Sequence, residues 1–228
     1  MEKYIESVSE LNLGKRIGGG SCSEVFEMDE GIYFKKFNED YIDLTDPINQ
    51  EFFEVIKTIS GIDYLPFIIR GKDVYRSKNE LFGYSMDSVS ALELEDISDD
   101  TLVSDLMIGF EGLKVGIRGL SDNFVKTEDI GGDNIIFNDS GMYLLDLDLS
   151  LVDKRYIPDE LYERCMNSLL CAVRQKVIGD SRFDDMVKND EYFSYLMRLK
   201  NDCSEALGKE VVTISDMHNG YSKIKNRI

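Results

Sequence analysis

The sharpest signal in the sequence lies in residues 127–150, which read TEDIGGDNIIFNDSGMYLLDLDLS. Asp129 and Asn134 are five residues apart in it, and Asp146 follows twelve residues after Asn134. Within residues 134–145 the pattern predicts two short strands joined by a tight turn. Such a hairpin would bring the three polar side chains to one of its ends.

These three side chains suit a magnesium ion and a reacting hydroxyl. Carboxylate and amide oxygens, as in Asn134 and Asp146, are ligands that Mg²⁺ takes in proteins. Asp129, held off the metal, could orient a hydroxyl and take its proton. Asp, Asn and Gly are also common in ordinary turns. That simpler interpretation explains the composition of the stretch but not its spacing.

Charge and composition exclude several classes of protein. The 228 residues carry a formal net charge of −18, which disfavours binding to the polyanionic backbone of nucleic acid. No apolar run approaches the roughly 20 residues of a membrane-spanning helix. The N-terminal residues MEKYIESVSE lack the apolar centre of a secretory signal. We therefore expect a soluble, cytoplasmic protein that binds neither nucleic acid nor membranes.

The four cysteines and the single histidine restrict the possible chemistry further. No two cysteines form a C-x-x-C pair, so the sequence predicts neither a common zinc site nor a disulfide framework. A Ser–His or Cys–His catalytic pair would have to use His218, near the C-terminus. Nucleophilic catalysis of that kind is disfavoured.

A glycine-rich motif, IGGGSCSEVF, occupies residues 17–26. Small residues at Gly18, Gly20 and Ser23 let backbone amides approach phosphate oxygens, and the apolar Val25 can cover a base. The motif lies between two predicted strands, so it fits neither a dinucleotide fold, where a helix follows, nor a Walker loop. Three glycines also suit an ordinary hairpin turn, and the motif alone leaves both interpretations open.

A lysine inside an apolar strand follows this motif, in the sequence GIYFKKF. Lys35 must point where its charge is tolerated, and next to a glycine loop it could reach phosphates. Glu51, on the helix that follows, could hold Lys35 as an ion pair, and Glu54 is the rival candidate. Both glutamates could equally be ordinary surface residues of an amphipathic helix.

The pattern along the chain predicts a strand-rich first part and a mainly helical second part. Before residue 90 the predicted strands are residues 11–18, 23–28, 31–37, 67–75 and 80–86. One helix lies among them, beginning at Asp46-Pro47 and ending at Gly61. After residue 90 we predict helices at residues 101–117, 161–177 and 183–207, the last broken once, and strands at 134–137 and 142–145. This order is typical of an α+β protein.

Taken together, these elements resemble the protein-kinase-like superfamily over residues 11–150. That family combines a Gly-rich loop, a strand lysine, a helix glutamate, a D-x-x-x-x-N catalytic loop and a D-F-G triplet. The resemblance implies that Lys35 binds phosphates and that Glu51 is its ion-pair partner. The phosphate-covering loop it implies consists of Gly18, Gly20, Ser23 and Val25.

The resemblance also assigns roles in the second part of the chain. It implies that Asp129 is the catalytic base and that Asn134 and Asp146 are magnesium ligands. Met86 would lie at the back of an adenine pocket, and the hinge backbone from Asp87 to Val89 would bind adenine.

The architecture that the resemblance implies is bilobal. A sheet lobe would span residues 1–86, a hinge residues 87–90, and a helical lobe with the catalytic loop residues 91–228.

Several residues depart from the family pattern. Thr127 and Glu128 stand where His-Arg is usual before the catalytic Asp, and Gly131 replaces a common lysine. Asp148 stands where the triplet has glycine, and no A-P-E motif follows. A regulated activation segment is therefore not expected.

We expect an ATP- and Mg²⁺-dependent phosphotransferase that moves the γ-phosphoryl group to a hydroxyl, with serine or threonine of a protein as the acceptor. Two alternatives stay open. One is a small-molecule kinase of the aminoglycoside or choline type, whose cationic acceptor the acidic residues 93–100 could attract. The other is a pseudokinase that binds nucleotide and acts as an interaction module.

Overall fold

A computed structural model describes residues 1–39, 42–127, 129–148, 150–181, 187–188 and 190–226. The strands in these residues are β1 (Glu2–Tyr4), β2 (Arg16–Gly19), β3 (Ser23–Asp29), β4 (Ile32–Phe37), β5 (Val74–Arg76), β6 (Leu81–Asp87), β7 (Leu92–Glu93), β8 (Val125–Lys126), β9 (Ile135–Asn138), β10 (Gly141–Leu144) and β11 (Leu151–Val152). The α-helices are α1 (Pro47–Ser60), α2 (Val103–Asp122), α3 (Pro158–Ile178), α4 (Tyr192–Leu207) and α5 (Ile214–Lys225). The predicted α+β class is confirmed.

The chain divides into two compact units. The first consists of Met1–Asp63, Ile69–Ser90 and Asp146–Val152. The second consists of Tyr64–Ile68, Ala91–Leu145 and Asp153–Ile228. Two short segments thus belong to a different unit from the residues on either side of them. Tyr64–Ile68 belongs to the second unit, and Asp146–Val152 belongs to the first.

The first unit is built on a six-stranded mixed sheet in the order β1-β5-β6-β4-β3-β2. β1 runs parallel to β5, and the other neighbours pair antiparallel. Val25 of β3 lies opposite Lys35 of β4, which in turn lies opposite Tyr84 of β6. Residues directly opposite each other in a ladder share one face of the sheet, so these three side chains form a row.

Each face of this sheet has its own apolar cluster. On one face α1 packs through Phe53 and Ile56 against strand residues such as Phe37 and Leu81. On the other face Phe34, Tyr75 and Phe82 form a second cluster with the N-terminal segment. The neighbours Leu81 and Phe82 join opposite clusters, as the alternation of side chains along a strand requires.

The boundaries predicted for α1 are confirmed and have a local cause. The side chain of Asp46 accepts a hydrogen bond from the Ile48 amide, and Pro47 occupies the first turn. Gly61 caps the other end of the helix. An acidic cap and an N-terminal proline are the usual start of a helix, so this element could be predicted from sequence alone.

Gly83 of β6 allows the sheet to close tightly around Lys35. It holds a φ of +152°, and a Cβ added there would stand 1.9 Å from the backbone oxygen of Lys35. Side-chain-bearing residues rarely adopt this conformation, and no side chain fits in the space. The strand that carries Lys35 therefore depends on glycine at this position of its neighbour.

Gly83→Ala should lower the free energy of unfolding by about 3 kcal/mol or more, because the added methyl combines a backbone clash with a strained φ. Gly18→Ala is the control, since a Cβ there would meet no atom within 4 Å. We expect the control to change stability by no more than about 0.5 kcal/mol. Urea denaturation measures both, and equal midpoints for the two variants would contradict this account.

The second unit contains a three-stranded sheet, in the order β10-β9-β7, and four helices among its described residues. α2 lies against β10, with Gly109 next to Met142, and α3 contacts both α2 and α5. α4 packs on α5, where Gly220 lies against Cys203. The helices predicted at residues 101–117 and 161–177 are confirmed as α2 and α3.

The last predicted helix, at residues 183–207, matches the structure only in part. α4 begins at Tyr192, and residues 183–186 and 189 lie outside the described residues. A further helix, α5, follows it and begins at a capping box formed by Thr213 and Asp216. Within the described ranges, no helix combines the length and the apolar character needed to cross a membrane.

Candidate functional site

A buried ammonium group is the centre of the site in the first unit. The side chain of Lys35 is 7% exposed, and its Nζ lies 2.6 Å from Asp146 Oδ1 and 2.6 Å from Asp148 Oδ2. The hydroxyl of Tyr84 donates a 2.8 Å hydrogen bond to Asp148 Oδ1. We call Lys35, Tyr84, Asp146 and Asp148 the lysine cluster.

Secondary structure explains why these groups meet. Lys35 and Tyr84 lie opposite each other on β4 and β6, so they project from the same face of the sheet. The segment Asp146–Val152 returns to this unit and carries both carboxylates, separated by the buried Leu147. Asp146 adopts a φ of +55°, which is uncommon for a residue other than glycine and typical of functional positions.

The electrostatics keep Lys35 charged. Burial by itself lowers the pKa of the Lys35 ammonium, but the charges of Asp148 and Asp146 outweigh burial and raise that pKa. Burial, with the charges of Asp148 and Asp146, also raises the pKa of the Tyr84 hydroxyl well above its ordinary range. Tyr84 is therefore a neutral donor that satisfies the second oxygen of Asp148.

The two aspartates differ in how accessible they are. The side chain of Asp148 is 10% exposed and accepts hydrogen bonds from within the unit. The side chain of Asp146 is 46% exposed, although one of its oxygens contacts Lys35. Asp148 is therefore an internal anchor, and Asp146 is the carboxylate that a ligand can reach.

The predicted ion pair between Lys35 and Glu51 is wrong. Glu51 is exposed, and Lys35 pairs with Asp146 and Asp148 instead. The buried face of α1 includes Asn49, Phe53 and Ile56, at helical spacing, and Glu51 lies away from it. The rival Glu54 is also exposed and pairs with Lys57.

Sequence reasoning assigned no role to Tyr84 and treated Asp148 only as an unusual replacement for glycine. A signal for Asp148 was present, because two carboxylates flank one apolar residue in Asp146-Leu147-Asp148. A lysine buried in an apolar strand needs a buried counter-charge, so either aspartate of this triplet was a candidate partner for Lys35. The position of Tyr84 opposite Lys35 depends on strand order and register, which sequence alone did not provide.

Asp148→Asn should lower the pKa of Lys35, because it removes the strongest charge that opposes burial while keeping an acceptor for Tyr84. NMR titration of the lysine Nζ and Cε resonances measures this change. Glu51→Gln is the control and should leave the pKa of Lys35 unchanged. A fall in the control as large as that in Asp148→Asn would restore the helix glutamate as the partner.

The glycine-rich motif forms the hairpin between β2 and β3, at one edge of the sheet. The Gly20 amide donates to the Ser23 carbonyl at 2.9 Å. Gly19 holds a φ of +146°, and a Cβ there would lie 2.7 Å from the Ser23 carbonyl oxygen. A Cβ on Gly18 or Gly20 would meet no atom within 4 Å. The fold therefore requires glycine at position 19, and open space lies beside the two glycines predicted to face phosphates.

Ser23 and Val25, the other two residues predicted in this motif, lie on β3. Ser23 is buried, and Val25 is half-buried opposite Lys35. Val25 is therefore the residue of the motif that lies closest in register to the lysine cluster.

The residues predicted to surround adenine follow at the end of β6. Met86 is partly buried and packs against the apolar cluster under α1. Asp87 is exposed and pairs with Lys72. Val89 is half-buried, two residues beyond the strand.

Asp129 and Asn134 lie in one loop of the second unit. The Asn134 side-chain amide donates to the Asp129 carbonyl oxygen at 3.2 Å, and the Asn134 backbone amide donates to Gly131. The Leu145 amide donates to the Asn134 carbonyl at 2.8 Å, which ties the loop to the end of the β9–β10 hairpin. The Asp129 carboxylate is exposed. The loop geometry thus holds Asn134 in place and leaves the acid free.

The predicted magnesium ligands are divided between the units, Asn134 in the second and Asp146 in the first. Among the described residues, no three His, Cys, Asp or Glu side chains gather in a group that could hold a metal ion. Magnesium commonly binds through one or two carboxylates together with substrate phosphates. Asp146 fits that mode, in which the ligand supplies most of the coordination.

Comparison with known proteins adds no assignment. No protein-family model and no curated protein matches this chain.

Proposed function

We propose that this protein is an ATP- and Mg²⁺-dependent phosphotransferase of protein-kinase-like fold that transfers the γ-phosphoryl group to a hydroxyl. The observation that carries the proposal is the lysine cluster beside the glycine hairpin. Its ammonium is buried on the sheet face behind Val25 and held by two carboxylates, one of which stays accessible.

The number of hydrogen-bond donors on Lys35 supports phosphate binding. An ammonium has three N–H donors. Two of them are directed to Asp146 and Asp148, and no other acceptor for Lys35 is found among the described residues. The third donor can be given to a phosphate oxygen, with Asp148 keeping the side chain in place.

The net charge of the lysine cluster indicates that a nucleotide would bind there together with a divalent cation. One ammonium and two carboxylates leave a net charge of −1, which repels a nucleotide triphosphate. Asp146, as the accessible acid, would be a ligand of the magnesium ion, and the resemblance gives Asn134 the same role. When bound, magnesium would neutralise phosphate charge and orient the phosphate oxygens.

The glycine hairpin supports the same function. Gly18 and Gly20 have open space where side chains would be, so their backbone can be approached closely by a ligand. In the proposed complex this hairpin covers the phosphates, and Met86, Asp87 and Val89 line the adenine site. Glu51 has no role in it, since Asp148 anchors the lysine.

The proposed base is Asp129. Its carboxylate is exposed, and the loop around it is fixed by the hydrogen bond from Asn134. It would orient the acceptor hydroxyl and take its proton, while positioning and charge neutralisation supply most of the catalysis. A serine or threonine of a protein is the acceptor expected from the resemblance, and a pocket in the second unit favours a different class.

Asp146→Asn should weaken binding of a non-hydrolysable ATP analogue by about 10- to 100-fold in the presence of Mg²⁺, because it removes a charged ligand. Without Mg²⁺, the variant should bind the analogue about as tightly as the wild type does. The control is Asp29→Asn, an exposed acid at the end of β3 in the same unit. Calorimetry with and without Mg²⁺ measures all three proteins. Magnesium-independent binding in the wild type would contradict the proposed site.

Asp129→Ala should leave nucleotide binding unchanged and reduce phosphoryl transfer by about 100- to 10,000-fold, as expected for loss of a general base. Transfer of label from γ-labelled ATP to any acceptor measures the effect. Normal transfer by the variant would show that Asp129 is not the base. Nucleotide binding without transfer in the wild type would favour the pseudokinase alternative.

A further inference from the structure

A pocket of about 740 Å³ opens in the second unit beside the loop that contains Asp129. It is bounded by Leu94 and Glu95 after β7, by Ile130 to Gly132, and by one face of α3. Its volume lies within the range of sites that enclose small molecules. The three loop residues that line it directly follow the proposed base.

The α3 face of the pocket carries several polar side chains. Arg164, Ser168, Cys171 and Gln175 follow one another at intervals of three or four residues, so they form one stripe along the helix. Arg164 and Gln175 are exposed, and Ser168 and Cys171 are half-buried. A stripe of this kind gives a ligand several hydrogen-bonding groups on one wall.

Two charged groups in the pocket have no ion-pair partner among the described residues. One is the guanidinium of Arg164, and the other is the carboxylate of Glu95. The Glu95 side chain lies against the catalytic loop, with its Oε1 2.8 Å from the position of a Cβ on Gly132. The pocket therefore presents a positive group on the α3 wall and a negative group on the loop wall.

Two other ionisable groups of the pocket, on Lys176 and His218, help to build it. Lys176 donates to the carbonyl oxygens of Glu95 and Ile97 at 3.1 and 2.6 Å, which ties the segment after β7 to α3. His218 Nε2 lies 2.9 Å from the Lys176 carbonyl oxygen. These contacts fix the pocket walls, and they leave Glu95 and Arg164 as the groups available to a ligand.

We infer that this pocket binds the phosphate acceptor, and that the acceptor is a small hydroxylated molecule carrying both an amine and an anionic group. The inference rests on the proposed phosphotransferase function. The amine pairs with Glu95 beside the loop, and the anionic group pairs with Arg164.

In the transfer step, ATP supplies the phosphoryl group and ADP is the leaving group. The acceptor oxygen forms a bond to the γ-phosphorus of ATP, and the bond from that phosphorus to the bridging oxygen breaks. ADP leaves with the electron pair of that bond. The proton of the acceptor hydroxyl passes to the Asp129 carboxylate.

The test is transfer of label from γ-labelled ATP to a panel of acceptors. Homoserine and serine carry both charges, ethanolamine and choline lack the anionic group, and glycerate lacks the amine. An aminoglycoside and a basic protein complete the panel. We expect label on the probes that carry both charges.

Two substitutions connect the label to the pocket. Glu95→Gln and Arg164→Ala should each raise KM for the labelled probe by about 10- to 100-fold while leaving Mg²⁺-dependent nucleotide binding unchanged. The matched control is Arg198→Ala, which removes an exposed arginine from α4 in the same unit, outside the pocket lining. The control should transfer label as the wild type does.

A third substitution moves Glu95 without removing it. Gly132→Ala places a methyl 2.7 Å from Cγ and 2.8 Å from Oε1 of the Glu95 side chain, so it should displace that side chain and its carboxylate. We expect it to raise KM for probes with an amine and to leave KM for glycerate unchanged. Thermal unfolding of the variant verifies that the fold is intact.

The inference fails if label appears on the basic protein alone, or if Glu95→Gln and Arg164→Ala transfer to the small probes normally. It also fails if label appears only on probes that lack one of the two charges. Two results would instead overturn the proposed function: absence of Mg²⁺-dependent nucleotide binding in the wild type, and nucleotide binding with no label on any acceptor of the panel. The binding and transfer measurements therefore separate the two failures.

Discussion

A buried ammonium between two carboxylates is the interaction on which the proposed site depends. Lys35 lies inside a sheet whose other residues on both faces are mainly apolar. An isolated charge there would be strongly disfavoured, and Asp146 and Asp148 remove that penalty through contacts of 2.6 Å. Tyr84 satisfies the remaining oxygen of Asp148, so the deepest carboxylate has no unpaired polar atom.

Under the proposed function, the two aspartates have different roles, since Asp148 anchors Lys35 and Asp146 is accessible to a ligand. In the usual kinase pattern a helix glutamate anchors the lysine, and movement of that helix can control activity. Here the anchor and the accessible acid are two residues apart on one segment, and α1 presents Glu51 to solvent. Under the proposed function, Asp148 takes the place of a helix glutamate as the anchor of Lys35, and α1 contributes apolar packing, because Phe53 and Ile56 belong to the same buried cluster as Tyr84.

In the second unit, hydrogen bonds also fix the backbone of the candidate site while charged side chains stay accessible. Its loop from Asp129 to Asn134 is held by hydrogen bonds within the loop and from Leu145, while the Asp129 carboxylate stays exposed. Lys176 and His218 shape the neighbouring pocket through backbone carbonyls, so that Glu95 and Arg164 are the charges left for a ligand. Of the acidic residues 93–100, Glu95 lines this pocket.

Local sequence determined much of this protein. The α+β class, the start and end of α1 and the β9–β10 hairpin follow from caps, turn residues and periodicity. These features depend on residues close together in the chain, which is why they were accessible. Only the tertiary structure decided which acid meets Lys35, because the choice between Glu51 and Asp148 depends on which face α1 buries and on the return of Asp146–Val152 to the sheet unit. It also decided that Tyr84 joins the cluster and that Arg164 and Glu95 share a pocket, since both require contacts between residues that are far apart in sequence.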